Sequence, residues 1–266
     1  MNITINGNLV NIRTGGYLNN NSKLPTLLLI HGAGMNGTVW QMQTRYLANR
    51  GINTLAIDLP AHGSSEGKAL TSIVEMSNWT IQLLKALNIS SVIIAGHSMG
   101  SLIAIETAKS DKDRVKSIIL LGTASLMPVH PDLISAAEKN LSIAANLITD
   151  WSFGLNQHLG NHPLPGYWMM DSSIQLIMQS SKGILAKDLI ACNDYKDAIS
   201  VAKILEQKVM IISGREDKMT PIKKAIELSN IIDKSEMVVI DNTGHMMMIE
   251  KPMEITQIIH KLFRYN

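Results

Sequence analysis

Residues 91–109 read Ser91-Val92-Ile93-Ile94-Ala95-Gly96-His97-Ser98-Met99-Gly100-Ser101-Leu102-Ile103-Ala104-Ile105-Glu106-Thr107-Ala108-Lys109. The first five are short, apolar and largely β-branched, the pattern of a buried strand. From Ser101 onward the apolar residues fall on one side of a helix. Between the two sits Gly-His-Ser-Met-Gly. A glycine-flanked serine in a loop would mean little. Between a strand and a helix it describes a sharp turn that forces the serine into a strained, exposed conformation. Glycines two residues to either side fit, because a Cβ there would crowd the crossing of strand and helix. The helix N-terminus behind Ser98 offers free N–H groups to a developing oxyanion. On the plainer reading Ser98 only caps a helix; the flanks favour the nucleophile.

Working outward, strand and helix patterns alternate on both sides of this turn. Asn2 to Arg13 alternates about Gly7-Asn8 and predicts a hairpin, and Gly15 to Ser22 reads as a loop. Thr26–Ile30 is a continuous apolar run of the kind found inside a parallel sheet, and it ends in His31-Gly32-Ala33-Gly34. A helix is expected from about Thr38 to Asn49, and a strand over Asn53–Ile57 ending at Asp58-Leu59-Pro60-Ala61-His62-Gly63. A helix with Ile73, Met76, Ile81, Leu84 and Leu87 inward leads into the opening stretch. Val115–Leu121 is the next strand, closed by Gly122. This order predicts an α/β fold, a mostly parallel central sheet with helices on both faces.

From Ser125 the alternation stops. Helical patterns cover Leu133 to Ile148 and Ser172 to Cys192, with a Gly- and Pro-containing stretch, Asn161 to Trp168, between them. The sheet resumes at Val209–Ser213, followed by a helix near Pro221–Asn230, a strand at Met237–Ile240 and a closing helix at Pro252–Phe263. The expected organisation is a core of residues 1–124 and 204–266, with residues 125–203 inserted as a helical lid.

Composition narrows the function. Hydrophobic residues make up 45% of the 266 and charged residues 17%, which describes a globular chain. A net charge of +2, from 24 basic and 22 acidic residues, is too balanced to imply nucleic acid or an anionic membrane as partner. Cys192 is the single cysteine, so no disulfide forms within the chain and a reducing compartment fits. The first residues have no basic head followed by an apolar run, and no run reaches membrane-spanning length. The expectation is a soluble, cytoplasmic protein, a monomer or homodimer.

Four motifs in chain order carry a resemblance: His31-Gly32-Ala33-Gly34; Asp58-Leu59-Pro60-Ala61-His62-Gly63-Ser64-Ser65; Gly96 to Gly100; and the pair Gly214-Arg215-Glu216-Asp217-Lys218-Met219-Thr220-Pro221 with Gly244-His245. Together they resemble the α/β-hydrolase family in its single-chain form with a helical cap. The resemblance covers nearly the whole chain, most weakly before Leu24 and within the cap. Ala61 stands where the family's second motif usually has glycine. The resemblance implies an oxyanion loop at residues 31–34, a nucleophile elbow at Ser98, and acid and histidine loops after the last two core strands.

The chemistry follows from the residue types. A serine hydroxyl is a weak nucleophile at neutral pH, so a base must take its proton as it attacks. Histidine, with a pKa of about 6.5, suits that task. Of eight histidines, His97 lies in the elbow and His31 in its own loop. His130, His158 and His162 fall in the insertion, His62 in a surface turn and His260 in the last helix. Only His245 follows the last core strand in a glycine-led loop. Glu216, Asp217 and Asp241 compete to orient it. Glu216 is expected to face solvent and Asp241 to serve a strand-end turn, and the resemblance selects Asp217, giving the chain order Ser, acid, His. The oxyanion donors implied are the backbone N–H groups of Met99 and Ala33, with Gly34 the second choice for the latter.

The expected activity is a serine hydrolase working through an acyl-enzyme, most simply a carboxylesterase of small to medium acyl esters. No cofactor is implied. His31, His62 and Asp58 lack paired metal-ligand spacing, His31–Gly34 lacks the lysine of a phosphate loop, and Ser98 excludes an aspartate nucleophile. Trp151, Trp168, Met169, Met170 and Met178 suggest an apolar acyl pocket, with Trp168, Met169 and Met178 the expected substrate contacts, against the alternative that they only pack the lid. Ser125–Ser200 holds four lysines, no arginine and seven acidic residues, a poor landing surface for coenzyme A. Without the arginine that carbon–carbon hydrolases of the family often use, thioesterase and carbon–carbon hydrolase activities rank below ester cleavage, with lactonase a further alternative on the same three residues. A cofactor-free perhydrolase or oxygenase and a non-catalytic ligand receptor are the readings from other classes.

Overall fold

The computed structural model describes residues 1–16, 24–160 and 166–263. Most of the loop expected at Gly15 to Ser22 and the first five residues of the Gly/Pro stretch, with His162, lie outside them.

The elements run β1 (Asn2–Ile5), β2 (Asn8–Arg13), β3 (Thr26–Ile30), α1 (Gln41–Ala48), β4 (Asn53–Ile57), α2 (Ile73–Ala86), β5 (Val92–His97), α3 (Met99–Ser110) and β6 (Val115–Leu121). Among the described residues six helices follow without a strand: α4 (Pro131–Lys139), α5 (Leu141–Ser152), α6 (Leu155–His158), α7 (Met169–Met178), α8 (Ile184–Asp194) and α9 (Ala198–Ala202). The chain closes with β7 (Lys208–Gly214), α10 (Ile222–Ser229), β8 (Ser235–Ile240), α11 (Met247–Glu250) and α12 (Pro252–Leu262).

One eight-stranded sheet runs β1-β2-β4-β3-β5-β6-β7-β8, antiparallel at β1/β2 and β2/β4 and parallel elsewhere. All five residues of β3 are buried because both sheet faces are covered. Leu28 and Ile30 join a core with α2, α3 and α10, while Leu27 and Leu29 point the other way, into a core with α1, α11 and α12. Each such side chain contributes about 1.5–3 kcal/mol on burial, which pins strand register, since a one-residue slip would exchange the faces. A third cluster, containing Leu133, Ala144, Ile148, Ile177, Leu185 and Leu189, holds α4, α5, α7 and α8 together.

Three local expectations change. The pattern over Leu133–Ile148 is two helices, because Asn140 leaves helical geometry at φ −150° and caps α5 through the Ile143 N–H. The pattern over Ser172–Cys192 is also two, separated by Gly183 in the left-handed region. In α2 the buried stripe runs through Trp79 and Leu83, and Ile81 and Leu87 are only half-buried.

Candidate active site

Parallel strands deliver their following loops to one edge of the sheet, so residues far apart in sequence meet there. β5 lies between β3 and β6, pairing Gly96 with both Ile30 and Leu120. Ser98, directly after β5, has φ 53° and ψ −116°, a backbone conformation that costs a non-glycine residue on the order of 1–3 kcal/mol. The surroundings impose it. The Ser98 N–H donates to Leu121 O (2.9 Å), and its carbonyl accepts from Ser101 Oγ (2.6 Å), which in turn lies within hydrogen-bond distance of Thr123 Oγ1 (2.9 Å). A Cβ on Gly96 would lie 2.0 Å from Gly100 O, and one on Gly100 2.4 Å from Ile30 O. Only glycine fits at either position.

After β7, Asp217 turns its carboxylate inward. Oδ1 accepts the N–H groups of Met219 (2.9 Å) and Thr220 (2.8 Å), and Oδ2 accepts Thr220 Oγ1 (2.7 Å). Oδ2 also lies 2.8 Å from His245 Nδ1. A carboxylate only accepts here, so Nδ1 carries a proton, and in the neutral ring the lone pair is on Nε2. Thr220 Oγ1 is 3.2 Å from the same Nδ1. Asp217 and His245 are both buried. The other carboxylates go elsewhere: Asp241 pairs with Arg215 at the surface, 67% exposed, and Glu216 accepts the Leu155 N–H (2.7 Å) instead of only facing solvent.

The histidine loop is held from three sides. His245 N donates to Ser152 O (2.5 Å). Glu250 accepts the N–H groups of Gly154 (3.0 Å) and Gly244 (3.0 Å), and burial pushes its carboxyl up to about 7. His97, packed 4.7 Å from the His245 ring, donates from Nε2 to His245 O (3.1 Å). Burial, followed by the neighbouring His245, holds the His97 pKa well below its ordinary value, so it stays neutral beside the pair.

Ser98 and His245 line one cavity of about 220 Å³. No hydrogen bond joins the two among the described residues. The inner walls are largely apolar, including Met35, Leu133, Ile148, Trp151 and Leu189, and Lys218 is the one lysine or arginine among the described residues of the lining. Trp151 is therefore at the cavity as expected. Trp168, Met169 and Met178 are not: Trp168 is 65% exposed, Met178 is 41% exposed, and Met169 is fully buried in the core against the sheet. Trp168 caps the start of α7, within which Met169 and Met178 lie, and none of the three lines the cavity.

The loop after β3 forms the opposite wall through Gly32 and Ala33. The Gly34 N–H is taken by Asp188 Oδ2 at 2.8 Å, whereas among the described residues no bond engages the Ala33 N–H. Met99 opens α3, where an N–H has no carbonyl within the helix. His31 holds its own loop as expected, accepting from Leu59 N (3.2 Å) at Nε2 and donating to Gly32 O (2.9 Å) from Nδ1. His62 is not in a surface turn: it is 3% exposed and paired with Asp188. Ala61 adopts φ 66°, the left-handed geometry that glycine enters without strain. Thr220, Asp188 and Glu250 were not singled out from sequence. Each had a faint signal: a threonine three residues after the acid, a carboxylate among the apolar residues of α8, and another beside the run Met246–Ile249.

A family model described as the alpha/beta hydrolase fold matches residues 25–252. An (E)-2-((N-methylformamido)methylene)succinate hydrolase from Acinetobacter baylyi is 35% identical over 114 residues, 42% of this chain and 43% of that protein. A pimeloyl-[acyl-carrier protein] methyl ester esterase from Aromatoleum aromaticum is 30% identical over 125 residues, 47% of each. The chain thus spans less than half the length of these curated relatives. Among solved structures, the enol-lactonase from Burkholderia xenovorans LB400 superposes with a TM-score of 0.88 at 20% identity, covering 99% of this chain and 100% of that one. No described helix is long and apolar enough to cross a membrane. With the family model spanning most of its length, from β3 to the start of α12, the chain belongs to the alpha/beta hydrolase fold family.

Proposed function

We propose that the protein is a serine hydrolase of small to medium carboxylic esters, working through Ser98, His245 and Asp217. The observation that carries this reading is the buried His245–Asp217 hydrogen bond of 2.8 Å, with its imidazole facing the cavity that the strained Ser98 also lines. In the first step Ser98 Oγ turns to His245 Nε2 and attacks the acyl carbon. Such contacts are often loose without substrate and tighten when it binds. The proton passes to Nε2, and Asp217 stabilises the imidazolium through Nδ1–H. The carbonyl oxygen becomes an oxyanion, received by the N–H groups of Met99 and Ala33. Gly34 is a poor donor because Asp188 already occupies its N–H. The alkoxide leaves with the proton from His245, and a water activated by the same nitrogen releases the acid from Ser98.

Residues 125–203 act in this reading as the lid, contributing Trp151, Ile148 and Leu189 to the acyl pocket. The apolar lining favours an uncharged acyl chain. The relatives named above support hydrolysis of a carboxylic acid derivative as the reaction class. A fluorophosphonate probe tests the assignment: the folded protein should label at Ser98 and hydrolyse p-nitrophenyl acetate, and Ser98→Ala should abolish both. Absence of labelling would reject the reading, and peroxide-dependent halogenation or oxygen uptake exceeding ester turnover would transfer it to the perhydrolase or oxygenase class.

A further inference from the structure

Behind the loop of residues 31–34 lies a buried pair that the proposed reaction does not use. Asp188 Oδ2, from α8, accepts both the Gly34 N–H and His62 Nε2, each at 2.8 Å. His62 Nδ1 lies 3.0 Å from Pro60 O. A carbonyl can only accept, and so can an ionised carboxylate. Both ring nitrogens must then donate, which makes His62 an imidazolium and the contact an ion pair. Burial opposes the charged ring, and the Asp188 charge and hydrogen bond outweigh it, so the His62 pKa rises above its ordinary value. The neighbouring His31, with its ring centre 4.9 Å away, has the opposite pattern. It receives one N–H and gives the other, so it is neutral, and burial and the His62 charge hold its pKa at about 4. Asp58 also faces His62, and Cys192 faces Asp188.

We propose that Asp188 and His62 are positioning residues for the oxyanion loop, through which α8 sets the Ala33 N–H for the ester-hydrolase reaction proposed above. Gly34 is gripped twice by α8. Asp188 takes its N–H, and one turn earlier Leu185 occupies the space a side chain would need, its Cδ1 2.7 Å from an ideal Cβ. Gly34 sits at φ 66°, so the loop is held in a left-handed turn one residue beyond the Ala33 N–H. The same helix turns Leu189 and Cys192 to the cavity. The element that walls the substrate therefore also carries the anchor of the electrophile site. A tether alone needs no buried charge. Among the described residues Asp188 Oδ1 has no hydrogen-bond partner, an arrangement that costs stability and is intelligible if the fixed charge holds His62 and Gly34 in register.

The test compares wild type with Asp188→Ala, Asp188→Asn and His62→Gln on p-nitrophenyl acetate. A misplaced donor loses on the order of 10–100-fold in rate, so kcat should fall by that factor while KM stays within about twofold. Affinity for a trifluoromethyl ketone, which adds to the serine as a tetrahedral anion, should fall in parallel with kcat/KM. Affinity for the matching carboxamide, which forms no oxyanion, should not. In ¹⁵N spectra at pH 7 both His62 ring nitrogens should be protonated, and Asp188→Asn should lower the midpoint of that titration. Retention of kcat within about twofold in the Asp188 variants, equal weakening of both inhibitors, or a neutral His62 at pH 7 would each overturn the proposal. Should Asp188→Ala not fold, the isosteric Asp188→Asn and His62→Gln decide. If wild type hydrolyses no ester, the functional reading fails, and the protonation of His62 still decides whether the pair exists.

Discussion

Replacing Asp217 by asparagine preserves shape and removes one charge, and the surrounding bonds dictate how the new amide sits. Oδ1 accepts two backbone N–H groups, from Met219 and Thr220, so the amide oxygen must occupy that position. The NH₂ group is left facing His245 Nδ1, where the carboxylate oxygen now lies at 2.8 Å. An NH₂ group donates, so Nδ1 must become the acceptor and the ring proton moves to Nε2. The imidazole then presents a proton, not a lone pair, to Ser98. Loss of the correct tautomer in a serine–histidine–aspartate arrangement lowers kcat by about 10⁴, equivalent to about 5.4 kcal/mol of transition-state stabilisation. The assay is kcat for p-nitrophenyl acetate beside a thermal melt, which should show folding intact. Asp241→Asn serves as control: its carboxylate is exposed and paired with Arg215, a contact worth about 0–1 kcal/mol, and it should leave kcat unchanged. An Asp217→Asn enzyme with more than a tenth of wild-type kcat, or a larger loss from Asp241→Asn, would refute the assignment.

Gly96→Ala would bring a Cβ to 2.0 Å from Gly100 O, and soluble expression should fall sharply, with any folded fraction unlabelled by fluorophosphonate. Glu250, raised by burial from 4.5 to about 7, binds its proton more tightly folded than unfolded. Its contribution to stability is therefore full below about pH 4.5 and lost as pH rises through 7, on the order of 3 kcal/mol. Melting curves between pH 5 and 8 should show this decline in wild type and a flatter profile in Glu250→Gln. Burial, then the Asp188 charge, pushes the Cys192 thiol upward, so Ellman's reagent should find no reactive thiol at pH 8 in the native protein and one per chain in guanidinium chloride. Trp151→Ala, which enlarges the cavity, should move the preferred acyl chain of p-nitrophenyl esters towards longer lengths, read as kcat/KM across the series.

The bounds of β3 and β4 and the turn at Ser98 were legible because each is written in a few adjacent residues. A strand buried on both faces must be apolar throughout, as Thr26–Ile30 nearly is, and a turn that crosses backbone on backbone must have glycine where Gly96 and Gly100 stand. Breaks inside the long helical patterns were harder, because periodicity carries through Asn140 and Gly183 although the backbone does not. The cavity wall was misjudged for a different reason. Periodicity tells which face of α7 is apolar but not what that face meets, and Met169 meets the sheet while Trp168 and Met178 meet solvent. His62 and Asp188 are 126 residues apart, and nothing local to either predicts their pairing. Chain-local sterics and hydrophobic patterning thus determined the elements and the sharp turn. The partners of each buried charge were decided only when β strands and α8 met in three dimensions, because the energy of an ion in the interior depends on the few atoms that replace its water.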